Sequence, residues 1–344
     1  MEVNGVSSIA ETLALREREL QDWIVETPTD LSRPGLLAIA ERGIGDALTL
    51  LPSLRALRDA HPGLRIELLT PGLFPLADNL RDTATVLDHR PLDGLGDDGR
   101  LAWLQVRNAE WVWNTEGERG SWTAALQRAG HPNWVTAPAQ REWGSRNVLG
   151  VRFAQLRELF PELHAPGEVG MALTPPQAEA REAFRAGFAP DGLLVAIQPG
   201  AGDRRRVWPA EKYRALASAL AERPRVTVLV FLSEAEAHFR APGFLPERDN
   251  LHLVSGRLEE VVPKLAACDL FIGNDSGFYH LAFALGLRVV GIHRSVRGAQ
   301  RWAYRSPRSR VVVNWVPRQL EPDWTRFVSV SRVLRSARRV TPGL

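Results

Sequence analysis

Short continuous apolar runs alternate along the chain with longer stretches in which apolar residues recur every three or four positions. The first kind reads as buried strands and the second as amphipathic helices. One series opens with a strand at 36–40. A helix from Asp46 to Ala60 follows, with Leu48, Leu51, Leu54 and Leu57 on one stripe. Strands are expected at 65–70, 85–88, 111–114 and 134–136, with helices at 100–106, 121–129 and 145–160. The alternation restarts after Thr174-Pro175-Pro176, read as a hinge. Strands then fall at 193–198, 226–232, 251–254, 270–273, 289–292 and 311–314. Helices fall at 177–186, 209–222, 234–240, 258–267 and 322–337, with one more between the strands at 270–273 and 289–292.

Strands alternating with helices predict an α/β protein with mainly parallel sheets. The two series look like two copies of one Rossmann-like architecture, at 35–174 and 175–321. An extension at 1–34 precedes them and a helical segment at 322–344 follows. Ser8 and Glu11 resemble a capping box, so the extension is expected to hold a helix to about Trp23. Ligands of such sheets bind beyond the strand carboxyl ends, which predicts a site in a cleft between the halves.

The length, 344 residues, suits two domains, and 44% hydrophobic with 24% charged residues is a soluble globular composition. The one cysteine, Cys268, excludes an intrachain disulfide and a cysteine metal cluster; it reads as a core thiol in a reducing compartment. No stretch approaches a membrane span, and the first residues carry charges where a signal peptide needs an apolar core. A cytoplasmic location is the expectation. Net charge is +3, and all but two of the 43 basic residues are arginine, the exceptions being Lys212 and Lys264. Acidic residues are interspersed, which argues against a nucleic-acid surface. The run 332–339 is the basic exception, a helix end able to touch anionic lipid. Trp103, Trp111, Trp113, Trp122, Trp134 and Trp143 cluster in the first half and read mostly as core.

Candidate chemistry concentrates in DLFIGNDSGFYHLAFALGLRVVGIHRS, residues 269–295. It reads as strand, turn, helix and strand, with Gly286 ending the helix. The turn Asn274-Asp275-Ser276-Gly277 lies where a parallel sheet presents its carboxyl edge and a helix its free N–H groups, a setting for an anion such as phosphate. Asp275 or Ser276 reads equally as a plain N-cap, and His280 equally as a packed core histidine. Two other turns stand at strand ends: Gly43 to Asp46, and Gly200 to Arg206 with three consecutive arginines.

The wording of these stretches resembles glycosyltransferase family 9, the heptosyltransferases of lipopolysaccharide synthesis. GNDSGxxHLAxALG is similar to that family's signature, which has Thr where Ser276 stands. Gly45-Asp46, opening a Leu-Pro-containing helix, resembles the family's first turn. A Pro-Gly-Ala strand end, followed by a basic residue two before Trp-Pro, resembles a third motif, with Arg206 where the family has Lys. His293-Arg294-Ser295 departs from the family's Gly-Pro-Thr, while Trp302 and Tyr304 echo its Trp-x-Pro-Tyr.

The resemblance implies a GT-B-type fold, two Rossmann-like domains facing a central cleft. It implies an inverting glycosyltransferase that moves a sugar such as heptose from a nucleotide-diphosphate sugar such as ADP-heptose to a saccharide or glycolipid hydroxyl. Asp46 would be the base, held ionised by the dipole of the helix it opens. Arg206 would meet the donor's phosphates, with Gly200 allowing close approach. Backbone N–H groups of Gly277, Phe278, Tyr279 and His280 would bind the same phosphates. Ser276 would add a hydroxyl, and Asp275 would orient the loop or a sugar hydroxyl. Arg204, Arg205, Arg294 and Arg297 would add positive charge. No metal and no cofactor is implied. The family's glycolipid acceptors imply peripheral contact with the cytoplasmic face of the inner membrane. Two alternatives stand beside this reading: a nucleotide-sugar epimerase of the same fold, and a non-catalytic nucleotide-sugar-binding scaffold.

Overall fold

The computed structural model describes residues 30–138, 140–314 and 324–344. The helix expected in the extension, and residues 322–323 of the last expected helix, lie outside the described residues; the last helix itself begins at Val330, later than expected. The first half contains β1 (Gly35–Ile39), α1 (Ile44–Leu48), α2 (Leu51–Ala60), β2 (Arg65–Leu69), β3 (Thr85–Leu87), α3 (Asp97–Val106), β4 (Ala109–Asn114), α4 (Thr123–Ala129), β5 (Trp134–Thr136) and α5 (Val148–Leu159). Its strands form one sheet in the order β3-β2-β1-β4-β5, parallel at every pairing.

The second half contains α6 (Pro175–Ala186), β6 (Leu193–Gln198), α7 (Ala210–Ala221), β7 (Val226–Phe231), β8 (Leu251–Val254), α8 (Leu258–Ala266), β9 (Leu270–Asn274), α9 (Gly277–Ala284), β10 (Arg288–His293), α10 (Val296–Trp302), β11 (Ser309–Val313) and α11 (Val330–Val340). Its sheet runs β11-β10-β9-β6-β7-β8, again all parallel. The expected alternation of strand and helix is borne out. Gly286, at φ +93°, ends α9 as its position suggested, because that backbone region favours glycine.

Three local expectations need correction. The helix expected from Asp46 to Ala60 is two helices, broken at Thr49-Leu50. Pro52 has no N–H for the Leu48 carbonyl, so the ladder cannot run through. The helix expected at 177–186 starts two residues earlier, at Pro175, with Thr174 as its N-cap. Both prolines occupy the first positions of α6, where their missing N–H groups cost nothing, and Gln177 Oε1 accepts from the Thr174 N–H at 3.1 Å. Helix α10 was not expected at all.

The core is continuous across the two halves. One apolar cluster joins Leu36, Ala47 and Leu48 of the first half to Leu194, Phe271, Tyr279 and Leu281 of the second. Gln177 also pairs amide to amide with Asn79 of the first half, its Nε2 donating to Asn79 Oδ1 at 3.2 Å. Among the described residues no helix is long and apolar enough to cross a membrane. Trp103, Trp113, Trp122 and Trp143 are buried, in line with the core role expected of them.

One feature of the first sheet is polar. Glu67 is fully buried on β2 and is held by Arg65 Nη1 at 2.5 Å and by the equally buried Arg107. Removing one member of such a group leaves an uncompensated buried charge, at about 3–5 kcal/mol. Glu67→Leu is therefore expected to lower the unfolding free energy by an amount of that size, read from urea denaturation followed by tryptophan fluorescence. Adding Arg107→Leu is expected to recover part of the loss. A single variant as stable as the wild type would contradict the pairing.

Candidate functional site

In each sheet the strand order reverses once, between β1 and β4 in the first and between β6 and β9 in the second. Crevices open at such reversals, beyond the strand carboxyl ends. The two crevices face each other across one cleft of about 630 Å³. The turn after β1 supplies Arg42, Gly43, Gly45 and Asp46. The turn after β6 supplies Gly202, Asp203, Arg205 and Arg206, and the turn after β9 supplies Asp275, Ser276 and Gly277. His280, His293, Arg294, Ser295, Gly298 and Trp302 complete the lining.

The halves meet beside this cleft at the starts of α1 and α9. A Cβ on Gly45 would stand 2.6 Å from His280 Cδ2, and one on Gly277 would stand 3.2 Å from Ile44 Cβ. Glycine at 45 avoids a clash and glycine at 277 a tight contact, and the approach points the N-terminal ends of two helices into one cavity. Ser276 is the N-cap of α9, but its side chain makes no capping bond; its Oγ lies 3.3 Å from the Gln198 side-chain amide. The Tyr279 and His280 N–H groups, expected to meet phosphate, instead donate to the Ser276 carbonyl at 3.1 and 3.4 Å; those of Gly277 and Phe278, with the helix dipole, favour an anion there.

Asp46, the third residue of α1, is half-buried in the cleft wall. Burial raises its carboxyl above the ordinary value, opposed by Arg152, Arg42 and Arg206 and helped by Asp275. Desolvation thus works against the ionised form that the helix dipole was expected to favour. Arg152 of α5 is 2% exposed and donates from Nη1 to the Thr115 carbonyl at 2.7 Å. Burial pushes its guanidinium down to about 10, with Asp46 and Glu116 pulling the other way. Glu116, after β4, is raised by burial and pairs with Arg42 Nε at 2.7 Å. Asp46 is thus a desolvated carboxylate in a field set by two arginines of its own half and one from the other.

The three consecutive arginines, equivalent in the sequence, are separated by the structure. Arg205 is bound by Asp203, which those hydrogen bonds hold at about 2. Arg204 turns to a neighbouring cavity of about 460 Å³. Arg206 lies in the main cleft, donating from Nη1 to the Asp275 carbonyl at 3.0 Å and standing 3.6 Å from Asp275 Oδ2. Asn274 fixes this arrangement. It is buried, donates to the Pro199 and Gly200 carbonyls at 2.6 and 3.2 Å, and accepts from the Trp208 N–H at 3.0 Å.

Of the residues singled out from the sequence, Asp46, Arg206, Asp275, Ser276, Gly277 and His280 come together in the main cleft. Gly200 lines the cavity shared with Arg204, where any Cβ would fall 2.0 Å from Glu236 Oε1. Phe278 lines a third cavity of about 160 Å³ with Gln198, Phe231 and Leu258. The Tyr279 side chain lies in the core, its hydroxyl 3.2 Å from Ser309 Oγ and accepting from the Tyr304 N–H. His280 satisfies both of its readings. It is packed, with Nδ1 2.8 Å from the Tyr304 hydroxyl, and it also faces the cleft; burial pushes it down to about 4, so it is neutral. Arg294 lines the cleft, and Arg297 is exposed on α10 outside that lining. Arg42, Glu116 and Arg152 were missed. For Arg152 a signal existed: with Gln155 it interrupts the apolar stripe of α5.

The profile of glycosyltransferase family 9 (heptosyltransferase) matches residues 152–326, so the turn carrying Asp46 lies outside the match. No curated protein matches the chain by sequence. Solved structures do match. The family 9 glycosyl transferase of Veillonella parvula superposes with a TM-score of 0.73 at 15% identity, over 91% of this chain and 98% of the other. The ADP-heptose lipopolysaccharide heptosyltransferase II of Escherichia coli gives 0.68 at 16%, over 89% and 98%. The E. coli heptosyltransferase WaaC, solved with ADP, gives 0.61 at 15%, over 89% and 99%. At these identities the likeness speaks to the fold, which is of the two-sheet GT-B type.

The cleft's charge leads to a direct expectation. Inorganic pyrophosphate is expected to raise the thermal midpoint of the wild type by mass action. The rise is expected to vanish in Arg206→Ala. An equal rise in the variant would remove Arg206 from the anion site.

Proposed function

The chain belongs to glycosyltransferase family 9, and from that premise we propose that it is an inverting transferase moving a sugar from a nucleotide-diphosphate sugar to a saccharide or glycolipid hydroxyl. One observation carries the reading: a desolvated carboxylate from one half and a helix N-terminus with an arginine from the other line the same cleft. The E. coli relatives are described with ADP and with an ADP-linked heptose analogue, which favours an adenosine diphosphate donor here. Lipopolysaccharide or another cell-surface glycan is the product class this suits.

In this reading the acceptor hydroxyl attacks the anomeric carbon from the face opposite the diphosphate. The carbon–oxygen bond to the diphosphate breaks, and its electron pair leaves with the phosphate. Asp46 takes the hydroxyl proton. Arg206 and the N–H groups at the start of α9 meet the charge that develops on the leaving group, an electrostatic role filled by donors already in place. Burial suits Asp46 to its part, because a carboxylate whose pKa is raised is a stronger base once ionised. The exposed arginines of α11, Arg335, Arg338 and Arg339, support contact with anionic lipid at the cytoplasmic membrane face, where a glycolipid acceptor would be met.

Asp46→Asn is expected to lower kcat by roughly 100-fold or more, the usual weight of a general base, with donor binding nearly unchanged. Wild-type turnover in that variant would end the assignment. The pH dependence has a defined sign. Asp46 must be ionised, so kcat/KM falls as pH drops through its raised pKa. Arg42 lowers that pKa, so Arg42→Gln is expected to move the acid limb to higher pH. A limb that stays in place or moves down would show that another group titrates.

A further inference from the structure

His293 ends β10 at the wall of the cleft. Its side chain is fully buried, yet neither ring nitrogen has a hydrogen-bond partner among the described residues. Burying such a group unpaired is costly, and an apolar side chain would avoid the cost. The ring is seated with care all the same. It packs edge-on against Tyr279 at 5.7 Å between centroids. It also lies back over Gly291, where any Cβ would stand 2.9 Å from His293 Nε2.

This seating leaves Nδ1 3.9 Å from Asp275 Oδ2, too far for a direct hydrogen bond. Arg206 Nη1 stands 3.6 Å from the same oxygen, and His280 Nε2 stands 4.0 Å from Oδ1. A carboxylate, a guanidinium and two imidazoles therefore converge without touching. An oxygen atom about 2.7 Å from the carboxylate and about 2.9 Å from Nδ1 spans the 3.9 Å gap at an angle of about 90°.

The chemistry of that oxygen is restricted. The carboxylate only accepts, so the oxygen must carry a proton to give it. An imidazole N–H turned toward the carboxylate needs an acceptor. A hydroxyl meets both demands, whereas an ionised phosphate oxygen has no proton and is repelled by Asp275. Burial, reinforced by Arg206 and opposed by Asp275, holds His293 below its ordinary value, so the ring is neutral and can present one N–H.

We propose that His293 and Asp275 together grip one hydroxyl of the transferred sugar, which makes His293 a specificity-determining residue for the donor's sugar. The inference rests on the nucleotide-diphosphate-sugar reading above. It goes beyond that reading by giving a purpose to His293, a buried imidazole that no group among the described residues satisfies.

The test is calorimetric titration of the full chain with ADP, GDP, UDP and dTDP, and with a diphospho-sugar of each, ADP-heptose included. The tightest pair is then repeated with His293→Phe and His293→Gln. Phe is expected to weaken the diphospho-sugar by roughly 10-fold, the weight of a lost hydrogen bond, and to leave the bare nucleoside diphosphate within about two-fold. Gln, which keeps a donor, is expected to retain part of the sugar affinity. Equal losses for sugar and bare diphosphate would make His293 a phosphate-site or folding residue and overturn the proposal. No change in either would overturn it as well. A wild type that binds none of the nucleotides would sink the donor reading and this inference with it, and that outcome is visible before any variant is made.

Discussion

The close approach of α1 to α9 is the constraint on which the site depends. Two glycines, Gly45 and Gly277, remove the side chains that would hold these helices apart. Their N-terminal ends then open on one cavity, and Asp46 comes within the electrostatic reach of Arg206. Neither half alone makes the site. The first brings a carboxylate and two arginines that tune it, and the second brings an anion-binding turn. Because one apolar cluster runs through both sheets, the juxtaposition is part of the core packing rather than a contact laid over two finished domains.

The charges follow a common logic. Asp46, Glu116 and Arg152 are all displaced toward their neutral forms by burial. Each is retained because an opposite charge stands nearby. Such a group is poorly solvated, so an arriving hydroxyl or phosphate competes with few waters for it. Arg205 and Asp203 illustrate the contrast. They satisfy each other at the exposed rim and leave little for a ligand.

Much of this was legible in the sequence, for identifiable reasons. Parallel strands buried on both faces read as continuous apolar runs, so nearly every strand was found close to its place. The turns at Gly45-Asp46 and Asp275-Ser276-Gly277 stood out because glycine and capping residues follow such runs directly. The phase of α9 was not legible. Phe278, Tyr279, Leu281, Ala282 and Phe283 give it apolar character all round, so no polar face told which of Phe278, Tyr279 and His280 looks into the cleft. Helix α10 escaped because its seven residues, three of them polar and one a glycine, carry no stripe. The break before α2 was masked by leucines that keep helical spacing across it, with Pro52 the one contrary sign. Arg204, Arg205 and Arg206 could not be ranked, since what distinguishes them is which carboxylate each meets in three dimensions.

The far rim of the cleft is closed by side chains reaching backbone. Asn147, the N-cap of α5, donates to the Ala303 carbonyl at 2.9 Å, and Arg301 of α10 donates to the Gly144 carbonyl at 3.1 Å, with Trp143 and Trp302 packed alongside at 6.0 Å. The molecule is thus fastened at both edges of its opening, by an apolar seam near α1 and by a polar clasp here. The two fastenings differ in kind. Parting the apolar seam would expose surface that water cannot compensate. Parting the clasp exchanges its hydrogen-bond partners for water, at little net free energy per bond, and uncovers the Trp143–Trp302 contact. The clasp is the smaller of the two fastenings, and it stands apart from the apolar cluster that joins the sheets.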